Sequence, residues 1–326
     1  MKSLFLAILT YASFLQANPF AIDFPDKEEV TAQDYVQIQR KLKEIDVAPL
    51  LHSLYPEGQN FTTMGDFFYR ITRGLRQAYA DPEKGLFPSI HLEKINGGSD
   101  NCLVSSATFN NRYVALVKKI PEALRKVGFK GYFYYRIGGY PNPTGIETKF
   151  LGVPYSFKIF LLKEAEKLGF KKVIWIDSAL LPLRDPTPLF QWLDKNPVFM
   201  RTWWATWDAW RFILPETRAL LQSLTGTDVL NAHTVSGTVF GFKMDSWEAQ
   251  KIIADFYQMV ELGTPFLSCF PEENVLTAII GQDSLKTLKR PSFDLLRNAD
   301  HEGKPETPEL IEEMRTTGAF FFHLQH

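Results

Sequence analysis

The sequence is poor in cysteine. Only two of its 326 residues are cysteines, Cys102 and Cys269, and neither belongs to a CxxC or Cys/His spacing typical of a zinc site. Two cysteines cannot form the disulfide framework that stabilises many small secreted domains. We therefore predict two unpaired thiols in the core, with one long-range disulfide as the alternative.

Long runs of one charge are also absent. The chain has 36 basic and 37 acidic residues, which gives a formal net charge of −1 at pH 7. Proteins that bind nucleic acid usually carry a basic patch or stripe that contacts the phosphates. The balanced charge therefore predicts no nucleic-acid partner.

Several catalytic motifs are missing. The chain has no G-x-S-x-G, no P-loop and no H-E-x-x-H, and its glycine-rich loop at 138–152 lacks the strand, GxGxxG, helix order. A haloacid-type phosphatase would need an Asp at position 179, where Ala179 stands. A sugar nucleotidyltransferase would need a glycine-rich and basic loop where the chain has FNNRY. These absences argue against each of those enzyme classes.

The composition is that of a globular protein. Hydrophobic residues make up 45% of the chain and aromatic residues 14%, enough to bury a substantial core in a chain of this length. We expect one large domain, or one domain with appendages.

Residues 1–17 have the order of a secretory signal peptide. Lys2 precedes an apolar block, which ends at the small residue Ala17. An uncleaved membrane anchor is the competing interpretation, because Leu15 at the −3 position is not small; a buried first helix is the third. The segment predicts an exported protein, periplasmic, secreted or lumenal, with membrane contact only if the anchor is retained.

Residues 18–95 are predicted to form a helical N-terminal extension. Apolar residues recur at helical spacing in 33–45 and again in 64–79. We assign residues 96–326 to the main domain.

The main domain begins with an α/β pattern. A strand starting at Cys102, a helix over 112–127 that Pro121 could divide, and a strand over 131–137 are followed, after a loop, by a helix over 155–168. Gly169 then ends that helix, and a buried strand over 173–176 ends at Asp177. This order predicts a mostly parallel sheet flanked by helices, with ligands bound at its carboxyl edge.

These stretches carry a family resemblance. The segments CLVSSATFNNRYVALVKKIPEAL and VPYSFKIFLLKEAEKLGFKKVIWIDSALLPLRDPTPLF are similar to the nucleotide-sugar half of GT-A-fold glycosyltransferases, distantly to the glycogenin-like and lipopolysaccharide galactosyltransferase-like enzymes. They resemble more closely a group of bacterial and phage glycosyltransferase-like proteins with the pattern "PYaFK…WlDss". The resemblance implies a Rossmann-like GT-A fold and transfer of a sugar from a nucleotide-diphospho-sugar.

The resemblance also implies a donor site. Thr108, Asn110 and Tyr113 correspond to the residues that hold the nucleotide base, and Lys158 to a basic residue that approaches the nucleotide. Asp177 corresponds to the first aspartate of the DxD metal motif. Tyr155 and Ser178, in the same matching stretches, are included in the predicted donor site.

The second DxD carboxylate is missing, because Ala179 stands in its place. A divalent metal, Mn²⁺ or Mg²⁺, favours several carboxylate oxygens. Either Asp177 shares a metal with a residue elsewhere, for which the family's C-terminal histidine implies His323, or cationic side chains neutralise the phosphates.

The second half of the chain supplies candidates for the rest of the site. Residues 200–212 contain four Trp together with Asp208, and sugars stack on indole rings, although core packing explains any one Trp equally well. Residues 233–244 form a predicted strand with a Ser-Gly interruption at Gly237, similar to the strand that lines the donor sugar. Glu272 and Glu273 begin a predicted helix, where they are candidates for an acceptor base or simply favour the helix dipole.

We therefore predict a glycosyltransferase, with Glu272, Glu273 and Asp208 as catalytic candidates and an unknown glycan, lipid or protein acceptor. The alternative is an exported, non-catalytic carbohydrate-binding or host-interaction protein on a degenerate glycosyltransferase scaffold. Its support is the incomplete DxD motif together with the export signal.

Overall fold

The computed structural model describes residues 18–27, 30–50, 77–110, 112–141, 148–204, 213–298 and 307–324. Three sequence predictions fall outside these residues: the signal segment 1–17, most of the helix predicted at 64–79, and Asp208.

The described residues form helices and strands in alternation along much of the chain. The helices are Ala32–Glu44 (α1), Tyr113–Val117 (α2), Ile120–Lys126 (α3), Phe157–Lys167 (α4), Thr187–Lys195 (α5), Pro215–Thr225 (α6), Trp247–Leu262 (α7), Pro271–Ile280 (α8) and Pro308–Thr316 (α9). The strands are Ser89–Ile95 (β1), Asn101–Ala107 (β2), Gly131–Ile137 (β3), Lys172–Ile176 (β4), Leu180–Pro182 (β5), Val198–Trp204 (β6), His233–Lys243 (β7), Leu296–Asn298 (β8) and Phe321–His323 (β9).

The predicted α/β unit is confirmed. Proline stands at the start of α3, so the chain between β2 and β3 forms two short helices rather than one. Gly169 follows α4 with a φ of +96°, a left-handed conformation that glycine adopts without strain, and the chain then turns into β4.

Six strands form the central sheet in the order β1-β3-β2-β4-β7-β6. β2 pairs in parallel with both β3 and β4, while β7 is antiparallel to both β4 and β6. Four of the six strands, β2, β3, β4 and β6, therefore run in one direction. The sheet is mixed and mostly parallel, as the sequence predicts.

The strand β1 was not predicted. It lies within the segment assigned to the helical extension, yet it pairs antiparallel with β3 along its whole length and forms one edge of the central sheet. Its apolar residues Ile90 and Leu92 are exposed, so the short alternation in residues 90–93 does not mark a face that packs on the core. Its pairing with β3 is a tertiary effect that local pattern does not reveal.

The core has a layer on each face of the sheet. Phe160 and Leu162 of α4 pack on one face with Ile252 of α7 and Val275 of α8. Residues of α3 and α5 pack on the other face. The helix after β2 and the helix after β3 thus cover opposite faces.

A small second sheet lies beside the carboxyl edge of β4. It has the order β5-β9-β8, and β9 pairs antiparallel with β5, which places His323 opposite Leu180. Because β5 begins three residues after Asp177, this pairing holds the C-terminal segment close to the end of β4.

The N-terminal described segment is fixed to the main body. The Asn18 side chain donates to the carbonyls of Val260 and Glu261 at the end of α7, at 2.8 and 3.0 Å. Phe20 is fully buried, and α1 begins with a capping box between Thr31 and Asp34. No helix among the described residues is long and apolar enough to span a bilayer.

The two cysteines are free thiols, and both are buried. This confirms the predicted pair of unpaired core thiols. Burial raises the pKa of the Cys102 thiol, which keeps it protonated.

Candidate functional site

The candidate site lies where the chain reverses its direction of travel across the sheet. From β2 the chain moves to β3 on one side and then returns to β4 on the other, so the carboxyl ends of β2 and β4 border a crevice. Ligands of open α/β sheets bind at such a point. Thr108 directly follows β2 and Asp177 directly follows β4.

A cleft of about 360 Å³ opens at this crevice. It brings together nine of the residues that the sequence singled out, from separate parts of the chain. These are Thr108, Tyr113, Tyr155, Lys158, Asp177, Ser178, Glu272, Glu273 and His323.

Lys158 is the central charge of the cleft. Its Nζ donates to Glu272 Oε1 at 2.7 Å and to the Gly237 carbonyl at 3.0 Å, and it lies 3.3 Å from Asp177 Oδ1. The side chain is only 8% exposed. Burial alone would lower the pKa of Lys158, but the carboxylates of Asp177 and Glu272 outweigh it and raise that pKa. Lys158 is therefore a permanent buried cation.

Gly237 lies at an irregularity in β7. The pairing with β6 shifts so that residues 236–239 of β7 lie opposite the single residue Arg201. The Gly237 N–H donates to Glu273 Oε1 at 2.7 Å, while its carbonyl accepts from Lys158. A Cβ at this position would lie 2.5 Å from Glu272 Oε1. The predicted close approach at Gly237 is thus made by the protein's own ion pair.

Asp177 is held by the strand that delivers it. Trp175 Nε1 donates to Asp177 Oδ1 at 3.0 Å and to the Gly237 carbonyl at the same distance. The Asp177 N–H donates to the Thr238 carbonyl. Oδ2 of Asp177 has no hydrogen-bond partner among the described residues, and the side chain is 26% exposed to the cleft. One carboxylate oxygen is therefore available to a ligand.

The neighbouring Glu272 and Glu273 have different environments. Glu272 is buried and accepts from Lys158. Burial, with the nearby Glu272 charge, raises the pKa of Glu273 to about 8. A carboxyl group with a pKa near neutrality can accept or release a proton under working conditions. Glu272 is already the hydrogen-bond partner of Lys158, so Glu273 is the better candidate for a general base.

His323 lies among several charges. Burial lowers the pKa of His323, the charges of Arg112 and Arg201 lower it further, and the Asp177 carboxylate opposes them. The imidazole is therefore uncharged at pH 7, the form that can bind a metal or accept a hydrogen bond. Arg112 also donates to the Leu324 carbonyl at 3.3 Å.

Tyr155 has an unusual backbone. Its φ is +59°, in the left-handed region that non-glycine residues seldom occupy. The Tyr155 ring centroid lies 5.5 Å from Lys158 Nζ, and the Trp175 ring lies at 5.6 Å from the same atom. Two aromatic rings thus flank the buried cation. Strained residues of this kind cluster at functional sites.

Two of the predicted site residues that the structure describes, Gly237 and Asn110, are not among the residues that line the cleft. The Asn110 side-chain oxygen accepts from the Ala78 N–H. Asp208 lies outside the described residues, so its predicted role stays a prediction.

Three residues of the site have no role predicted from the sequence: Gln77, Trp175 and Arg201. Gln77 accepts from the Thr108 hydroxyl at 2.8 Å. Trp175 donates to Asp177, and the strand period of two already placed both on the same side of β4. Arg201 interacts electrostatically with Glu273 and His323, and no sequence pattern signals it.

The described residues do not form a metal site by themselves. No group of three or more His, Cys, Asp or Glu side chains in the described part of the chain could hold a metal ion. Asp177 and His323 supply two ligands at most. Mg²⁺ is commonly held by one or two carboxylates together with substrate phosphates and water. The residues therefore fit a cation only if the ligand of the cleft completes its coordination.

Comparisons with known proteins give structural similarities alone. No protein-family model matches the chain, and no curated protein matches it. Among solved structures it is similar to the bifunctional glycosyltransferase WbbM, with 10% identity and a TM-score of 0.43 over 72% of this chain and 48% of WbbM. The chain thus spans about half the length of WbbM.

Two further solved structures are similar. One is a glycosyltransferase involved in glycosylation of the major capsid of PBCV-1, with 12% identity and a TM-score of 0.40 over 69% of this chain and 94% of that one. The other is the galactosyltransferase LgtC in complex with donor and acceptor sugar analogues. The identity is 13% and the TM-score 0.39, over 69% of this chain and 87% of LgtC. At these identities and scores, no activity of this chain follows from the similarity.

Proposed function

We propose that this protein is a glycosyltransferase that takes a sugar from a nucleotide-diphospho-sugar. The observation that carries the proposal is the convergence of the predicted donor residues. Thr108, Lys158 and Asp177 come from three separate segments of the sequence, yet all line one cleft at the carboxyl ends of β2 and β4. Nucleotides bind at this position in open α/β sheets.

The nucleoside would lie at the end of β2. Thr108, whose hydroxyl already donates to Gln77, and the partly buried Tyr113 line this side of the cleft. The Tyr113 ring offers a stacking surface for a base. Asn110 would act indirectly, since its side chain holds the backbone next to Gln77.

The diphosphate would lie at the end of β4, close to the positive charges. Lys158, Arg112 and Arg201 all interact electrostatically with His323 and so surround the same region. Asp177 and His323 would hold a divalent cation together with the diphosphate, and such a cation would neutralise charge on the leaving group. Because these two residues are the only protein ligands in the proposal, the cation would bind together with the donor and not before it.

Glu273 would accept the proton of the acceptor hydroxyl. Its pKa of about 8 lets it exchange a proton near neutral pH, and the Gly237 N–H holds its Oε1. Glu272 would act as a positioning residue, since it fixes Lys158.

The proposal can be tested by thermal-shift binding of the purified protein. The ligands are nucleoside diphosphates and nucleotide sugars, each with and without Mn²⁺. We expect one nucleotide to raise Tm, Mn²⁺ to add to that shift, and Mn²⁺ alone to give none. Asp177→Asn should abolish the shift. Asp194→Asn is the matched control, because Asp194 forms a surface ion pair with Lys172 away from the cleft.

Hydrolysis of the stabilising nucleotide sugar then tests for catalysis. Slow release of the nucleoside diphosphate that is lost in Glu273→Gln or Asp177→Asn would support a transferase. The absence of any shift at millimolar nucleotide would contradict the proposal. That result would favour the alternative of an exported, non-catalytic carbohydrate-binding protein.

A further inference from the structure

A second cavity lies outside the donor cleft, beside β6 and the C-terminal end of α8. Its volume is about 330 Å³, within the range of small-molecule sites. Basic, apolar and hydroxyl side chains line it, among them Arg290, Met200 and Thr277.

One wall of this cavity is positively charged. Lys286, Lys289 and Arg290 all line it, and all three are exposed. Lys286 is paired with Asp283, whereas neither Lys289 nor Arg290 forms an ion pair with a described residue. The charge of Arg290 also reaches His233 and, together with burial, lowers the pKa of that side chain.

The carboxylate that lines the cavity is neutralised by an arginine. Asp228 is its one carboxylate among the described lining residues, and it is bound by Arg218 through two hydrogen bonds of 2.7 and 2.5 Å. Asn231 also donates to it. The cavity therefore has a net positive charge that an anionic group can match.

Other residues that line the cavity are apolar: Met200 of β6, Ile280 of α8 and Leu288. A ligand that combines one anionic group with a less polar ring face fits such a cavity better than a free inorganic anion does. A pyranose that carries a carboxylate or a phosphate has both features.

The cavity adjoins the donor cleft through α8. Glu273 lines the cleft and Thr277 lines the cavity, and these residues are one helical turn, about 6 Å, apart on the same face of α8. Thr277 fixes this spacing, because its hydroxyl accepts from the Val235 N–H at 2.9 Å and donates to the Glu273 carbonyl at 2.6 Å.

We propose that this cavity binds an acidic saccharide, a sugar with a carboxylate or phosphate group, as the acceptor. The proposal rests on the proposed function, since it is Glu273 that would face the acceptor hydroxyl. Lys289 and Arg290 would bind the anionic group, and the apolar lining residues Met200, Ile280 and Leu288 would contact the ring.

The test is a ligand-observed NMR titration of the full protein with D-glucuronate, D-glucose 6-phosphate, neutral D-glucose and inorganic phosphate. We expect the two acidic sugars to bind most tightly, and more weakly at high salt, because salt screens exposed charges. Lys289→Ala/Arg290→Ala should weaken both by about tenfold or more, through the loss of charge-assisted hydrogen bonds. Lys118→Ala/Lys119→Ala is the matched control, an adjacent exposed basic pair between α2 and α3.

Three outcomes would overturn the inference. Glucose could bind as tightly as the acidic sugars, phosphate could bind as tightly as glucose 6-phosphate, or the Lys289/Arg290 variant could keep the wild-type affinity. The first would show that no anionic group is needed, the second that no sugar ring is needed, and the third that the site is not at Lys289 and Arg290.

The same samples separate this inference from the proposed function. Lys289→Ala/Arg290→Ala should keep the nucleotide-dependent rise in Tm, and Asp177→Asn should keep acidic-sugar binding while losing the nucleotide response. Failure of nucleotide binding in the wild type would contradict the donor proposal without affecting the acidic-sugar result.

Discussion

Lys158 and Glu272 form a buried ion pair with a distance of 2.7 Å between Nζ and Oε1, although 114 residues separate them in the sequence. Their side chains are 8% and 7% exposed. The pair joins α4, which packs on the sheet, to the first turn of α8. It therefore links the helix that packs on the sheet to the helix that carries Glu273, the proposed base.

Removal of the lysine charge should destabilise the fold. Lys158→Met leaves the buried Glu272 and the partly buried Asp177 without their cation, so we expect a loss of about 3 kcal/mol in the free energy of unfolding. Lys158→Met/Glu272→Gln should recover part of it, as measured by urea denaturation in a double-mutant cycle. Lys172→Met, which breaks a surface pair, should cost less than about 1 kcal/mol. If the free-energy changes of Lys158→Met and Glu272→Gln simply add in the double variant, the two side chains are not coupled.

A side chain at position 237 should disturb the same pair. Gly237→Ala places a Cβ 2.5 Å from Glu272 Oε1 and 3.1 Å from Lys158 Nζ, so we expect about 1–3 kcal/mol of destabilisation and weaker nucleotide binding. Glu272→Asp in the same chain shortens the carboxylate and should restore part of both. Ser236→Ala, one residue earlier, controls for general effects on β7. If Gly237→Ala and Ser236→Ala have equal effects on stability and nucleotide binding, the space beside Gly237 is not sterically constrained.

Glu273 should make the protein less stable at alkaline pH. Its folded pKa of about 8 lies above the unfolded value of 4.5, so the folded state retains a proton that the unfolded state loses. Stability therefore falls as pH rises from 4.5 to about 8. Glu273→Gln removes this loss, so the stability of the variant relative to wild type should increase across that window. The measurement is urea unfolding at a series of pH values, with the exposed Glu312→Gln as control. A difference in stability between Glu273→Gln and wild type that does not change with pH would contradict the raised pKa of Glu273.

His323 should make the protein less stable in acid. Its folded pKa lies below the unfolded value of 6.5, so the unfolded state takes up a proton first. The stability that the neutral imidazole contributes is fully present above pH 6.5 and is lost as the pH falls towards the folded pKa of His323. His323→Gln should remove this part of the acid sensitivity, measured as Tm against pH. Parallel profiles for wild type and variant below pH 6.5 would exclude the buried, neutral imidazole.

Local pattern in the sequence was sufficient for the α/β unit. Gly169 and Pro121 mark a helix end and a helix break, and both follow from backbone constraints that need no tertiary contact. Asp177 could be placed at the end of a buried strand because the apolar run before it is short and unbroken.

The internal arrangement of the site could not be predicted in the same way. Lys158 and Glu272 pair beside Gly237, which lies where the register of β7 shifts opposite Arg201. That shift is a property of two strands together. The different hydrogen-bond partners of Glu272 and Glu273 also depend on which carboxylate reaches the lysine. Adjacent identical residues carry no sequence signal that separates them.

The edge strand β1 shows a second limit. His91 and Glu93 alternate with the exposed Ile90 and Leu92, so neither face is clearly apolar in sequence. Its strand conformation follows from the hydrogen bonds offered by β3, which are visible only in the folded sheet.

The contacts of Asn18 bear on the predicted cleavage after Ala17. Asn18 directly follows the predicted cleavage position at Ala17, and its side chain caps α7 while Phe20 is buried in the core. A peptidase has to bind the residues around its cut in an extended, accessible form. If residues 1–17 are removed by cleavage after Ala17, the cleavage therefore precedes the docking of residues 18–20. If residues 18–20 dock first, they protect the bond from cleavage.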